Sequence, residues 1–424
     1  MNPGEATPPL FATAALTTRI AFLLELARRL HQYGTAAPRL EIAIAGAAQR
    51  MGLVADVWSS PTAVIISFAD LAQEEGVAQT TQVMRLAPGD VNLMRLCEAD
   101  RVADQVITGD LDLREGFHRL RELGRPESRR AQAAVIASYG LSAASIVALF
   151  LHSSWPDLLT AAFIGLVIGS ITVLAASRPR LAIASEALSA MAATVIAIVV
   201  SAFVVPLAIK AVVLGGLIVL VPGMSLTTAV RELSSQHLMS GMARMGGAVT
   251  TLLKLIFGTV AATQLCAVAG IHARDYALPP LPGWMDAPSL LLGAFGFAIL
   301  FRAARRDWLL VMAAVVVGYL ATRWGGQISG RVPGAAFGVF LGGFLLSAMA
   351  NAYARYAQRP GAVIREPGII MLVPGSVGFQ SMSFLLDRNT ELGVDTAILL
   401  LTLLVSLVAG LMFGELLVSP RRSL

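Results

Sequence analysis

The chain has 424 residues, 56% of them hydrophobic and 14% charged, with a mean hydropathy of +0.71. Soluble domains carry about a quarter charged residues, so most of this chain has to face lipid rather than water. The charges are uneven: residues 1–130 hold 14 arginines and 16 carboxylates, 30 of the 59 charges in the chain, and the remaining 294 residues share the other 29. A polar domain therefore precedes a membrane domain. The net charge of +5 comes from arginines in short loops beside apolar stretches, which sets orientation in a bilayer and points to no nucleic-acid partner.

Residues 1–9 lack a basic stretch followed by an apolar run, so no signal peptide is expected. Apolar residues at helical spacing over 14–33 stop at Gly34, a residue suited to a helix C-terminus. Pro38 suits the first turn of a second helix reaching about residue 51. Residues 54–59 and 62–70 alternate like strands around Ser60-Pro61, and 77–86 reads as a third strand. Amphipathic helices follow over 89–108 and 111–123. The spacing predicts a small α+β domain over 1–130.

A membrane span needs about 20 mostly apolar residues. Ten stretches approach that: 131–151, 156–176, 181–204, 206–221 and 241–270, then, after a Pro-rich break at 278–288, 289–304, 308–322, 334–353, 362–373 and 394–418. The fourth and ninth are short. Arginines cluster at alternate junctions, at Arg125, Arg129 and Arg130, at Arg178 and Arg180, at Arg231 and Arg244, at Arg302, Arg305 and Arg306, at Arg355, Arg359 and Arg365, and at Arg421 and Arg422. The positive-inside rule then places both termini in the cytoplasm. The expected units are a cytosolic domain over 1–130, five spans over 131–270, an extracytoplasmic linker over 271–288, five spans over 289–418 and a tail over 419–424.

Leu220-Val221-Pro222-Gly223 ends the fourth span, and Leu372-Val373-Pro374-Gly375 ends the ninth, 152 residues later; Gly258 and Gly410 share that offset. Each motif closes the fourth span of a five-span half, and an odd number of spans inverts the second half. Inverted repeats with Pro/Gly-interrupted helices at matching positions mark transporter sites. Proline removes a donor, glycine permits unusual dihedrals, and the broken helix frees backbone groups for a polar substrate.

At these residues the chain resembles the threonine/serine exporter (ThrE) family, including its two-subunit relatives linked to succinate export. The stretch Leu220 to Leu233 (LVPGMSLTTAVREL) followed by Ser240-Gly241-Met242-Ala243-Arg244 is similar to the segment after the fourth span. The stretch Leu372 to Phe379 (LVPGSVGF) resembles the small partner subunit, fused here. Tyr33-Gly34, Arg39 and Glu41 resemble the Tyr-Gly and Arg-x-Glu elements of the polar domain. Glu232 stands where many members have Asp. The resemblance covers about 14–418 and implies proton-driven export of small polar metabolites, a threonine/serine or a dicarboxylate substrate, in the cytoplasmic (inner) membrane.

Ionisable groups at membrane depth are expensive and default to functional candidates. Glu186, Glu232 and Glu366 are the proton-carrier candidates; the alternative for Glu186 is an interfacial pair with Arg178 or Arg180, and for Glu366 a pair with Arg365. Glu415 reads as interfacial. Pro222, Gly223, Ser225, Thr227, Thr228, Arg244 and Lys254 from the first half, with Pro374, Gly375, Ser376 and Gln380 from the second, are the substrate-binding candidates. Local helix capping competes for the hydroxyls, and orientation signals for the arginines. Asn351 suits a helix-to-helix bond. Cys97 reads as a core thiol, and Arg39 and Glu41 as a structural pair or a regulatory site.

Cys97 and Cys266 make no metal spacing, and neither metal, cofactor nor catalytic residue is expected. An intramembrane hydrolase would need a Ser225–His237 pair, both near a loop, and a nucleotide-driven pump would need a phosphate-binding loop the chain lacks. A channel with a cytosolic sensor is the third alternative. The polar domain's place before the first span fits regulation or gating, and the sequence is silent on whether the chain forms a homo-oligomer.

Overall fold

The computed structural model describes residues 15–70, 80–151, 153–274, 278–329, 333–372, 375–386 and 388–419. The polar segment opens with α1 (Leu16–Gln32) and α2 (Ala37–Arg50), continues through β1 (Leu53–Ser60), β2 (Ala63–Asp70) and β3 (Thr80–Arg85), and closes with α3 (Leu93–Thr108) and α4 (Leu113–Leu123). Gly34, between the first two helices, sits at φ +82°, a left-handed conformation that favours glycine. The strands form an antiparallel meander with β2 in the middle, Val57 opposite Ile66 and Ile65 opposite Val83. The alternation along β2 puts Val64, Ile66 and Phe68 on the buried face, where they meet Phe22, Leu26, Leu40 and Ile44 of the first two helices. The start of the expected third strand lies outside the described residues.

The membrane part runs through α5 (Arg129–Phe150), α6 (Trp155–Ala176), α7 (Pro179–Phe203), α8 (Ile209–Leu217), α9 (Gly223–Ser234) and α10 (Leu238–Val268). It then repeats as α11 (Asp286–Leu300), α12 (Trp308–Ser329), α13 (Pro333–Ala357), α14 (Ala362–Ile370), α15 (Gly375–Leu386) and α16 (Thr390–Leu417). The protein is a mainly α-helical polytopic membrane protein.

Among the described residues nine helical stretches are long and apolar enough to cross a membrane, one fewer than expected. The missing one is the fourth. At about 1.5 Å per residue the nine residues of α8 reach less than half the thickness of a hydrocarbon core, and the chain breaks at Val221-Pro222 before the amphipathic α9. In the second half the nine residues of α14 occupy the same place, followed by α15.

The second half repeats the packing of the first. α6 touches α5, α7 and α8 as α12 touches α11, α13 and α14; α10 covers α7 and α9 as α16 covers α13 and α15. Gly258 and Gly410 show why small residues are placed there: a Cβ on Gly258 would lie 2.2 Å from the Ala187 carbonyl oxygen, and one on Gly410 2.2 Å from that of Phe340, so both glycines let a helix seat directly on its neighbour's backbone. The halves meet along α5 and α11. Leu141 and Ser142 lie against Gly296, and Ser145, one turn later, lies against Gly293 and donates to the Ser289 carbonyl at 2.8 Å. Residue numbers rise along one helix as they fall along the other, so the first helices of the two halves run antiparallel, as inverted repeats require.

The polar domain docks on the end of this bundle. The Leu93 and Met94 amides, unpaired donors of the first turn of α3, donate to the Phe301 and Arg302 carbonyls beyond α11 at 3.0 and 3.2 Å. Glu127 and Arg302 add an ion pair at 3.0 Å.

Candidate functional site

Between the domain, the two helix breaks and the facing ends of α13 and α16 lies a cavity of about 1630 Å³. Its membrane side is built by the repeated motifs. Pro222 stands just before α9 with no helical donor of its own, and the Gly223 amide donates back to the Val221 carbonyl at 2.8 Å. Gly375 opens α15 directly opposite.

Two residues before the end of α9 is Glu232, fully buried. Its carboxylate accepts four hydrogen bonds: from Arg244 Nε and Nη2 at 3.1 Å each, from Ser240 Oγ at 2.9 Å and from the Ala37 amide at 3.2 Å. The last donor belongs to the first turn of α2, where orphan amides and the helix dipole favour an anion. A carboxylate of the membrane part therefore caps a helix of the polar domain. A buried charge is costly unless paired and hydrogen-bonded, and here every donor is supplied.

The adjacent Arg231 points the other way, to Glu415 on α16 at 2.5 Å. Arg365 on α14, buried, reaches Glu415 at 3.7 Å and Glu366 at 3.3 Å. This chain of charges ties α9 of one half to α14 and α16 of the other.

The structure brings together most of the residues singled out from the sequence. Pro222, Gly223, Ser225, Thr227, Thr228 and Arg244 line the cavity from the first half and Gly375, Ser376 and Gln380 from the second, with Glu186, Glu232 and Glu366 on the same wall system. Some carry local duties as well. The Thr227 hydroxyl donates to the Gly223 carbonyl at 3.1 Å, and Arg244 is engaged with Glu232. Lys254 does not line the cavity: its ammonium donates to the Ile183 carbonyl at 3.1 Å and stands 3.6 Å from Glu186. Glu186 is thus paired with Lys254 rather than with Arg178 or Arg180, because α10 packs beside α7. Pro374 lies outside the described residues.

Other readings change too. Arg39 and Glu41 are not a pair, since two steps along a helix send side chains to opposite faces. Glu41 accepts from the Ser59 amide at 2.8 Å and meets His237 Nε2 at 3.0 Å, while Arg39 lines the cavity. His237, so engaged, forms no hydrogen bond with Ser225 among the described residues. Asn351 donates to the Val418 carbonyl at 2.8 Å, a helix-to-helix bond. Cys97 is buried in the core, and burial pushes its thiol up to about 11. Among the described residues no group of three or more His, Cys, Asp or Glu side chains is placed to hold a metal.

Sequence reasoning passed over Arg365 and Glu415 as binding groups and did not place Arg39 at the site. The signal for Glu415 was a carboxylate in the apolar last helix, read as interfacial because it lies near the helix end; its partner, 184 residues away, left no local trace.

Two family models match the chain, one described as Putative threonine/serine exporter over residues 21–266 and one as Threonine/Serine exporter, ThrE, over residues 288–417. Among curated relatives, pheromone-regulated membrane protein 10 of Zygosaccharomyces rouxii is 24% identical over 396 residues, 90% of this chain and 40% of the relative. The protein of the same name in Saccharomyces cerevisiae is 24% identical over 395 residues, 91% of this chain and 50% of the relative. That of Debaryomyces hansenii is 22% identical over 374 residues, covering 87% and 37%. The chain spans half or less of the length of these relatives. No solved structure matches it.

Proposed function

The chain belongs to the threonine/serine exporter family, and from that premise we propose that it is a secondary active exporter of small zwitterionic amino acids, threonine and serine first, driven by proton influx. The observation that carries this reading is the charge balance of the cavity: seven arginines and seven carboxylates line it. A dicarboxylate site would need a surplus of cations to offset two anionic ends. A zwitterion asks for one group of each sign in a neutral surrounding.

In this reading the two halves rock about the paired breaks, exposing the cavity alternately on either side. The polar domain, residues 1–130, faces the cytoplasm with both termini, and the membrane is the cytoplasmic (inner) one. Hydroxyls of Ser225, Thr228 and Ser376 with the Gln380 amide contact the substrate. The returning proton is taken by one of Glu186, Glu232 and Glu366. Glu232 is the best placed of the three, because neutralising it would release Arg244 and the start of α2 together.

Counterflow of labelled L-threonine into proteoliposomes tests the proposal. Uptake blocked by excess serine, spared by succinate and sensitive to collapse of the proton gradient is expected. Uptake of succinate but not threonine would overturn the substrate, and flux that ignores the gradient and never saturates would favour a channel.

A further inference from the structure

Five of the seven arginines in the cavity wall have a carboxylate within 4.0 Å: Arg231, Arg244, Arg302, Arg359 and Arg365. Among the described residues Arg39 and Arg50 have none. Arg50 is exposed to solvent, which supplies its hydrogen bonds, whereas Arg39 is half-buried. Its surroundings are cationic on one side: burial and the neighbouring charges of Arg365 and Arg231 bring its pKa down to about 10, opposed by Asp100 and Glu366. It is therefore charged at neutral pH, partly stripped of water, and among the described residues has no carboxylate close enough to pair with it. Beside it in the same wall, the Thr35 hydroxyl is buried without a hydrogen-bond partner among the described residues. The backbone that carries both is fixed, because the Ala37 amide is bonded to Glu232 and Glu41 to His237.

We propose that the polar domain supplies part of the substrate site itself, with Arg39 of α2 and Arg365 of α14 forming the subsite for the carboxylate of a small zwitterion and Thr35 adding a hydroxyl. This rests on the exporter reading for the identity of the ligand. The guanidinium of Arg39 offers the fork of donors that matches a carboxylate in two parallel hydrogen bonds. Arg365 holds its neighbour Glu366 within reach, so the α-ammonium of the same ligand has an anion nearby. The domain is then a wall of the binding site, and its first two helices set specificity.

The test uses the full chain in proteoliposomes. Arg39→Gln is expected to raise the KM for threonine at least about tenfold while Vmax stays within about twofold. Threonine amide, which lacks the carboxylate, should compete equally well against both forms. Arg39→Lys, which keeps the charge but loses the fork, should fall between them, and it serves if the glutamine variant does not fold. An unchanged KM, or a lower Vmax with KM and amide competition unchanged, would overturn the proposal. Should the wild type move no threonine, the exporter reading fails by itself, and Arg39 is then judged by thermal stabilisation with glycine, succinate and methylamine. Stabilisation by the carboxylates that disappears in Arg39→Gln upholds the subsite; stabilisation that is equal in both forms, or absent in the wild type, overturns it.

Discussion

Gly375 packs backbone to backbone against Gly223, its counterpart 152 residues earlier in the chain. A Cβ added to Gly375 would lie 3.0 Å from the Gly223 Cα, 3.1 Å from its nitrogen and 2.9 Å from Val221 Cγ1. The two breaks are thus one joint, shared by the two halves and sized for glycine.

Enlarging that joint should separate the halves. Gly375→Ala forces a shift of a few tenths of an ångström and Gly375→Val considerably more, with overpacking costs of about 1–3 kcal/mol. The alanine variant is expected to slow threonine counterflow and the valine variant to abolish it, while both still insert in the membrane. Full flux through the valine variant would show that the joint does not move with transport.

Removing the charge of Glu232 leaves Arg244 without its ionic partner and gives the start of α2 a neutral amide oxygen in place of a carboxylate cap. Breaking a buried pair in this way costs about 3–5 kcal/mol. Glu232→Gln should therefore lower the thermal midpoint of the purified protein markedly, and Glu232→Gln combined with Arg244→Gln should recover much of the loss without restoring flux. A midpoint unchanged by the single substitution would remove Glu232 as the bond between domain and membrane part.

Lys254, which does not itself line the cavity, is satisfied by a carbonyl of α7 and by Glu186 behind the cavity wall. Lys254→Gln is expected to leave the KM for threonine within about twofold of wild type. A tenfold rise would place its ammonium at the substrate after all.

His31 gives the polar domain a pH dependence. Its Nε2–H donates to the Ala87 carbonyl at 3.2 Å, and burial, joined by the charge of Arg244, lowers its pKa from the ordinary 6.5. The folded chain then binds fewer protons than the unfolded one below that value. The stability this brings is complete above about pH 6.5 and declines on acidification until the folded group itself titrates. The thermal midpoint should fall between pH 7.5 and pH 5, and His31→Gln should shrink the difference.

Much of the architecture was legible because lipid imposes a simple rule: apolar stretches of fixed length, with arginines at alternate ends. The strands could be read because β2 alternates between a buried and an open face. The fourth span was misjudged since hydropathy counts residues and does not see that α8 stops at Leu217, five residues before Pro222. The site was half legible. Repetition disclosed Gly223 and Gly375, but Arg39 and Glu415 acquire their meaning from contacts with residues distant in the chain. The Ala37–Glu232 bond joins positions 195 apart, and no periodicity records such a meeting.

The repeat is symmetric in its helices and asymmetric in its charges. The 152-residue offset that carries Gly223 onto Gly375 carries Arg231, Glu232 and Arg244 onto Ser383, Phe384 and Thr396. One lobe is thus closed by ionic bonds and docked to the polar domain, whereas the matching lobe presents a phenylalanine and two hydroxyls. A machine with two identical lobes would open to either side at equal cost. In the exporter reading, a motion that parts α9 from the polar domain breaks the Glu232–Ala37 bond, for which the matching positions of the second lobe hold no counterpart, so the two end states differ in energy before any substrate or gradient acts.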